Sequence, residues 1–405
     1  MNHRSRAVHK RVGRRFAMAL AYLVIAFSMA FGWLYQSIPD TIYVEQGKAV
    51  RFARFPFLAP QGDTGTTRTV STAQTGSFNT TLAIGGMVPV KQVRTIVTER
   101  PVVTVCGTPF GIKMFSDGAL VVGFSDILTD GGWANPAKDA GLRLGDLVIS
   151  VNGFSTQSND EVRQIIEQAN GNTVQVIYLR DGVQRSTRLT PVRGEDGSWK
   201  AGMWVRDSSA GVGTMTFFRE DTGVFAGLGH SINDSDTGTT ISLRTGEIVA
   251  CKITGYTPGS PGNPGELKGQ FTGMYAIGTI TKNDSSGVYG TARVAFEGKP
   301  AEVGFAQEVQ TGPAIIMTTI EGDTPKEYTV QIEKVDLNRQ GGSRDMVIHV
   351  TDQALLSKTG GILQGMSGSP IIQDGKLVGA VTHVLVNDPT RGYGIFIENM
   401  LEAAE

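Results

Sequence analysis

The chain has 405 residues, with 37 Lys and Arg against 38 Asp and Glu, and a formal net charge of −1 at pH 7. A chain so balanced offers no basic surface for nucleic acid, so we exclude nucleic acid as a partner. Its length exceeds what one hydrophobic core normally serves, which predicts two folded domains. The 52 glycines and the low charged fraction of 19% favour turn-rich β structure, and we predict a mainly β fold.

The N-terminus predicts a membrane anchor. Residues 16–35 contain no charged side chain, and a helix rising ~1.5 Å per residue over that length spans the ~30 Å hydrocarbon core. Residues 1–15 contain basic side chains and no acidic one, so the positive-inside rule predicts a cytoplasmic tail and an extracytoplasmic body. A cleaved secretory signal is the alternative, with Ser28 and Ala30 near a cleavage site, although its apolar region usually has only ~7–15 residues.

Residues 36–100 predict a linker or stalk with strands near its end. The tract Gly62–Thr81 is rich in Thr, Gly, Gln and Ser and has no helical periodicity. Strand-like runs follow at Met87–Thr98 and Val102–Val105. Because an extended tract is accessible to a peptidase, this region is also the expected place for self-cleavage, between about Tyr35 and Thr98.

Residues 101–195 predict a PDZ domain, a small α+β unit. Ala140–Gly153 has the pattern Ala-Gly-Leu-x-x-Gly-Asp-x-x-x-x-Val-Asn-Gly, an amphipathic helix follows, and a hairpin closes the unit. These residues resemble PDZ domains of bacterial protease-associated type. Phe110, Gly111 and Ile112 match the carboxylate-binding loop of such domains, which implies that they bind a peptide. The alternative is that this segment is simply a turn into a core strand.

Residues 200–405 contain many short β-type runs separated by turn residues, which predict a barrel or sandwich. Near their end, Gly-Met-Ser-Gly-Ser-Pro surrounds Ser367 and resembles the nucleophile loop of trypsin-like proteases, which implies a double β-barrel peptidase. We predict Ser367 as the nucleophile, and the N–H groups of Gly365 and Ser367 as the oxyanion hole. Ser369 is the alternative nucleophile, but it lacks the framing glycines.

The general base should be one of five histidines, of which His3 and His9 fall in the cytoplasmic tail. His230 ends an apolar strand in a glycine-bracketed turn, as the base of trypsin-like enzymes does, and we predict it as the base. His349 and His383 lie in strand-like runs and are the alternatives.

No metal or other cofactor is predicted. The histidines lack the His-Glu-x-x-His spacing of a zinc site, and the only two cysteines, Cys106 and Cys251, do not form a Cys-x-x-Cys pair. Cys106 and Cys251 fall in different predicted domains, so we expect two buried thiols and no disulfide framework.

The third member of the site should be a carboxylate that orients the imidazole. The residues alone leave Asp352, Asp345, Asp234 and Asp323 open. However, the stretch Ile348–Ile372, Gly227–Ile232 and a PDZ domain placed before the peptidase strongly resemble the stage IV B sporulation peptidases of endospore-forming bacteria. That resemblance implies a triad of His230, Asp352 and Ser367, although Asp352 does not follow the usual trypsin-like order.

The same resemblance implies a function. It predicts a serine endopeptidase in the space between the two membranes of a developing spore, which cuts its own chain and then a membrane-bound regulator of an intramembrane protease, and so activates a sigma factor. Two alternatives are a quality-control protease of the high-temperature-requirement type, in which the PDZ domain follows the protease, and an inactive scaffold that works through its PDZ domain.

Overall fold

The structure, a computed structural model, describes residues 3–62, 76–338 and 342–405. It begins with the helix α1 (His3–Ser37). Within it, Arg15–Ser37 contains an 18-residue stretch with a mean hydropathy of 2.0, and it is the only helix of the described residues that is long and apolar enough to cross a membrane. Such a helix fits a membrane span and equally a signal sequence.

The predicted stalk contains a folded sheet. Its strands are ordered β1-β4-β3-β2, and their apolar side chains join the core of the C-terminal barrel. The expectation of an unpacked stalk is therefore wrong for the three strands before residue 85, because alternate residues such as Ile42 and Val44 are buried. The strand Val88–Thr98 agrees with the one predicted at Met87–Thr98. Most of the tract predicted to be extended, residues 63–75, lies outside the described residues. The strands are β1 (Thr41–Glu45), β2 (Leu58–Pro60), β3 (Gly76–Ile84) and β4 (Val88–Thr98).

A first barrel follows. Its strands pair in the ring β6-β17-β18-β19-β16-β15, which closes because β15 also pairs with β6. Buried side chains such as Phe110, Met215 and Phe225 fill it, and β5 and β20 extend its sheet beside β15. The strands are β5 (Val102–Val105), β6 (Pro109–Phe124), β15 (Met203–Phe218), β16 (Val224–Gly227), β17 (Leu243–Thr257), β18 (Glu266–Asp284), β19 (Gly287–Ala292) and β20 (Lys299–Glu302).

The PDZ domain lies between β6 and β15. Its helix α3 begins at Ser158, whose side chain accepts the Glu161 N–H in a capping box, and it buries Val162 and Ile166 against the PDZ sheet. The elements are β7 (Ile127–Thr129), β8 (Gly132–Ala134), α2 (Pro136–Asp139), β9 (Leu147–Val151), β10 (Phe154–Ser155), α3 (Asn159–Gln168), β11 (Val174–Arg180), β12 (Val183–Leu189), β13 (Val192–Arg193) and β14 (Trp199–Lys200).

The PDZ domain is therefore an insertion in the first barrel and does not precede the peptidase as a separate unit. β6 and β15 are both 16 residues long, and each runs from one domain into the other. The predicted domains at 101–195 and 200–405 do not match this arrangement, because strands of the first barrel lie on both sides of the predicted boundary. Residues 102–116 pair with peptidase strands, a contact between segments about 100 positions apart that local sequence patterns do not report.

The second barrel is closed in the order β21-β22-β23-β26-β25-β24, so the described chain has the mainly β architecture predicted, with barrels in its peptidase region. A short 3-10 helix, Ala306–Glu308, leads into it. The elements are β21 (Gly312–Thr318), β22 (Lys326–Val335), β23 (Met346–Val350), α4 (Gln353–Thr359), β24 (Pro370–Gln373), β25 (Lys376–Leu385), β26 (Asp388–Phe396) and α5 (Ile397–Ala404).

Candidate active site

A cavity of about 590 Å³ is lined by residues of both barrels. The first barrel contributes His230, which follows β16, and the edge of β15 at residues 209–212. The second barrel contributes Ser367 and the end of β25 with His383. The structure therefore brings the predicted nucleophile and the predicted base to one cavity, although 137 positions separate them in the chain.

The Ser367 loop has a backbone that requires glycine. Gly365 and Gly368 have φ angles of +95° and +93°, a region that side chains rarely adopt. A Cβ atom at Gly368 would lie 1.9 Å from the Thr214 carbonyl oxygen and 2.5 Å from the Leu228 nitrogen. Glycine therefore lets the nucleophile loop touch the segment that carries His230.

Hydrogen bonds orient the peptide groups of this loop. The Gln364 carbonyl accepts the Leu267 N–H at 2.8 Å, and the Met366 carbonyl accepts the N–H of Ser369 at 3.0 Å and its hydroxyl at 2.6 Å. In a trans peptide the N–H points away from the C=O, so these contacts direct the N–H groups of Gly365 and Ser367. Within the described ranges neither N–H has an acceptor, which suits the predicted oxyanion hole.

The two serines of the loop differ in access. The Ser367 hydroxyl lines the cavity and donates to the Thr382 carbonyl at 2.7 Å. Ser369 is fully buried, and its hydroxyl donates a hydrogen bond to the Met366 carbonyl. Ser367 is therefore the serine that a substrate in the cavity can reach.

His230 is held in a tight turn of the first barrel. Leu228 and Gly229 before it have φ angles of +66° and +68°, and the left-handed conformation is strained for leucine. The His230 Nδ1 lies 2.7 Å from the Ser231 carbonyl oxygen. A carbonyl only accepts, so this contact fits the tautomer protonated at Nδ1 and leaves Nε2 as a base. Burial lowers the pKa of His230, which keeps the ring neutral near pH 7.

His383 packs against this imidazole. The centroids of the two rings are 4.6 Å apart, with 34° between their planes. The buried His383 Nδ1 has no hydrogen-bond partner in the part of the chain that the structure describes. Burial, and then the neighbouring His230 and Arg344, lower the pKa of His383 to about 4. Sequence reasoning considered His383 only as an alternative base, because no local pattern signals contact with His230.

Asp352 is placed differently from the expected triad. Its carboxylate caps α4, accepting the N–H groups of Ala354 and Leu355 at 3.0 Å, and it also accepts the Thr329 N–H at 3.3 Å. It is not among the residues that line the cavity. The structure thus brings Ser367 and His230 together without Asp352, whose membership of the triad stays a prediction.

The other aspartates considered have partners elsewhere. Asp345 is buried and accepts the Phe396 N–H and the Asn399 amide, both at 2.8 Å. Asp234 pairs with Arg206, and Asp323 pairs with Lys252 at the surface. Among the described residues no carboxylate lines the cavity, and the Ser231 carbonyl is the acceptor that faces His230 Nδ1.

The predicted carboxylate loop at Phe110, Gly111 and Ile112 is a barrel strand, which corrects the sequence expectation. Gly111 pairs with Val212 of β15 on one side and with Val249 of β17 on the other. Phe110 and Ile112 are buried in the barrel core. With both edges of the strand paired, no free edge remains there for an added peptide.

A groove that sequence reasoning missed lies within the PDZ domain. A cavity of about 660 Å³ is bordered by α3 and by residues 203–205 at the start of β15. This part of β15 pairs with β6 on one edge, and no other strand of the described residues pairs with it. The sequence did not reveal this groove, because α3 and the start of β15 lie about 40 positions apart, in segments that the sequence assigns to different domains.

Comparison with protein families agrees with this architecture. Residues 197–401, about half of the chain, match the family model described as SpoIVB peptidase S55. The chain belongs to the SpoIVB peptidase S55 family. Residues 134–180 match the model of a PDZ domain. The recognition made from the sequence is thereby confirmed, and the chain is a serine peptidase by family with a PDZ domain inserted in it.

Other comparisons add little. No curated protein matches the chain. One similar solved structure is the PDZ domain of an SdrC-like protein from Listeria monocytogenes, 23% identical over 22% of this chain and 87% of that one, with a TM-score of 0.18. The family and the PDZ domain together imply protein or peptide substrates.

The thiols play no part in this site. Cys106 and Cys251 are both buried and free, as the sequence predicts. Burial raises the pKa of the Cys106 thiol to about 12, so it stays protonated and unreactive near neutral pH.

Proposed function

We propose that this protein is a membrane-anchored, extracytoplasmic serine endopeptidase in which Ser367 is the nucleophile and His230 is the general base. The observation that supports this most is that loops of two barrels bring both side chains to one cavity. The N–H groups of Gly365 and Ser367, which have no acceptor among the residues that the structure describes, lie in the same loop. Nucleophile, base and oxyanion donors are then all groups of the protein.

The chemistry follows from these positions. The Ser367 hydroxyl exchanges the Thr382 carbonyl for His230 Nε2, which takes its proton as the oxygen attacks a peptide carbonyl. The N–H groups of Gly365 and Ser367 stabilise the oxyanion. His230 then protonates the leaving amine, and water hydrolyses the acyl-enzyme with His230 again as the base. Because the Ser231 carbonyl accepts a hydrogen bond from Nδ1–H, the correct tautomer exists without a carboxylate in contact.

The family resemblance further supports a regulatory role. We propose that the enzyme cuts its own chain between about Tyr35 and Thr98, and then cuts a membrane-bound regulator of an intramembrane protease, which leads to activation of a sigma factor during sporulation. The apolar helix α1 supports anchoring, and the PDZ groove supports capture of a protein segment. Anchored chains meet at a high local concentration, which favours cutting of one chain by another.

A fluorophosphonate probe tests the chemistry directly. We expect the full-length protein to be labelled at Ser367, as located by peptide mass spectrometry, and His230→Ala to lose the label. Label at Ser369, or none on a folded protein, would reject the proposed nucleophile. The second result would favour the inactive scaffold.

The N-terminus of the mature fragment tests self-cleavage. In a foreign host we expect wild type to lose α1 by a cut between Tyr35 and Thr98, and Ser367→Ala to remain intact. The same cut in purified Ser367→Ala would assign it to a host protease. This outcome leaves the active-site proposal standing, because probe labelling measures it separately.

The alternative of a high-temperature-requirement protease finds less support. In such enzymes the PDZ domain follows the protease, whereas here it interrupts the first barrel between β6 and β15. The family match covers the peptidase region itself. We therefore retain the sporulation peptidase function.

A further inference from the structure

The hairpin between β3 and β4 has exposed apolar side chains at its end. Met87 and Val88 are 73% and 52% exposed, and Phe57, just before β2, is 48% exposed. These residues adjoin, because the Gly85 N–H donates to the Phe57 carbonyl at 2.8 Å. We call Phe57, Met87 and Val88 the hairpin tip. Single exposed apolar side chains are ordinary, but an adjoining group calls for an explanation.

The hairpin tip is connected to the end of α1 by aromatic contacts. The Trp33 ring meets the Phe55 ring edge-on at 6.0 Å, and Phe55 meets Phe57 in the same way at 6.0 Å. On β4, the Lys91 ammonium donates to the Ile38 carbonyl at 2.5 Å and lies 5.2 Å from the Tyr35 ring. The sheet is thus fastened to α1 at the level of residues 33–38.

This level coincides with the membrane surface if α1 spans the bilayer. Residues 16–35 need their whole length to cross the ~30 Å core. Yet Leu34 is already buried in the core that the sheet shares, and Phe31 packs against it. The body therefore begins where the helix leaves the hydrocarbon, with Trp33 and Tyr35 at the interface that such rings prefer.

Charge near the hairpin tip fits an anionic lipid surface. The exposed Arg54 stacks over the Trp33 and Phe55 rings, 5.7 Å and 5.4 Å from their centroids. Asp40, the acidic residue beside the helix end, is paired with Lys91 at 2.8 Å. A cation at this height is attracted by anionic headgroups.

From these contacts we propose that the hairpin tip is a second membrane contact: Phe57, Met87 and Val88 insert into the boundary between headgroups and acyl chains of an anionic bilayer, beside the anchor. The inference rests on the proposed anchoring of α1. It fixes the height and tilt of the peptidase above the membrane, which one helix alone would not do. The enzyme then acts on segments that lie close to the membrane surface.

Fluorophores at chosen positions test this in the full-length Ser367→Ala protein, which should not cut itself. The protein is reconstituted at low density in vesicles of phosphatidylcholine and phosphatidylglycerol, with a nitroxide-labelled lipid as quencher. An environment-sensitive dye is placed at Met87→Cys, at Ser28→Cys within α1, and at Phe154→Cys, an exposed apolar position on the PDZ domain. Cys106 and Cys251 are buried, so the dye reacts at the added cysteine.

We expect quenching at positions 28 and 87 roughly threefold or more above that at 154, because an interfacial side chain sits ~5–10 Å into the boundary region. Val88→Cys should behave as Met87→Cys does, and it replaces that variant if Met87→Cys fails to fold. Quenching absent at 28 would reject the anchor itself. Quenching at 28 but only background at 87 and 88 would overturn the inference. Dye protection at 87 that grows with protein density, without lipid quenching, would show a second copy covering the tip and would also overturn it.

Discussion

The two barrels present their catalytic candidates differently. The second barrel carries Ser367 on a loop whose carbonyl groups are fixed by Thr214 and Thr216 of the first barrel, at 2.8 to 3.0 Å. The first barrel carries His230 after a left-handed leucine, with one backbone contact for its ring. The proposed nucleophile is therefore preorganised by several hydrogen bonds, whereas the proposed base depends on a strained turn.

The PDZ domain meets the peptidase beside the loop that follows His230. β15 leaves the PDZ domain at Arg206, whose guanidinium pairs with Asp234 and Asp236 in the loop that follows His230. The same strand later holds the Ser367 loop through Thr214. Contacts from the PDZ side thus reach the loop that follows His230. We therefore expect the proposed base to respond more than Ser367 to changes in that domain.

The largest expected effect is the loss of activity on substitution of Ser367 or His230. Ser367→Ala and His230→Ala should each lower kcat/KM by about 10⁴-fold or more, and the double variant should lose no more, because the groups act as a unit. Hydrolysis of a fluorogenic peptide measures this. Ser357→Ala is the matched control, since Ser357 is exposed and bonds only within α4. If the losses of the two single variants added up in the double variant, the assignment of Ser367 and His230 as one catalytic unit would be wrong.

Asp352→Asn separates a cap from a triad member. Asparagine caps helices as well as aspartate, so we expect the free energy of unfolding to stay near wild type, whereas Asp352→Ala should cost about 1 kcal/mol. Any loss of activity in the folded Asp352→Asn variant then comes from the loss of the carboxylate in catalysis, since stability is unchanged. A drop of about 10⁴-fold would establish Asp352 as the third member, and activity within twofold would leave it only the cap seen here.

Ser369→Ala tests how the loop is preorganised. Without the hydroxyl bond to the Met366 carbonyl, the N–H of Ser367 is aimed less firmly, so kcat should fall by about 10- to 100-fold, less than on losing a whole donor, with little change in KM. Steady-state kinetics on the same peptide separate the two constants. An unchanged kcat would show that the buried hydroxyl does not matter for the oxyanion hole.

Arg206→Ala tests the contact from the PDZ side. It leaves the buried Asp234 carboxylate without its cation, so we expect a loss of about 1 to 3 kcal/mol in the free energy of unfolding. Denaturant unfolding measures this loss. Adding Asp234→Asn should recover part of it, and Arg163→Ala, which breaks only an exposed pair with Asp160, should cost much less. Equal losses of stability in Arg206→Ala and Arg163→Ala would show that the contact between Arg206 and Asp234 contributes no more than an exposed ion pair.

The smallest effect is a pH dependence. A histidine with a lowered pKa binds its proton less readily when folded, so its contribution to stability is complete above about pH 6.5 and is lost as pH falls towards 4. For His383 this amounts to about 1 to 2 kcal/mol, because partial solvation reduces the full value. Thermal unfolding of His383→Gln should therefore change less than wild type between pH 6.5 and 4.

Much of this protein was predictable because the signals are local. The apolar run of α1, the PDZ pattern after Ala140 and the glycines around Ser367 each impose a conformation on consecutive residues. The Gly-Met-Ser-Gly sequence indicates a loop that needs glycine, and the structure has positive φ angles at Gly365 and Gly368. The family was recognised from the same short stretches.

The sequence by itself determined the nucleophile candidate, the base candidate and the mainly β class, since each depends on neighbours in the chain. Only the tertiary structure decided that the PDZ domain interrupts a barrel, that residues 110–112 form a barrel strand, that His383 packs against His230 and that Asp352 does not line the cavity. All four depend on pairing between segments far apart in the chain. Such pairing is set by which buried surfaces fit together, and local periodicity does not report it.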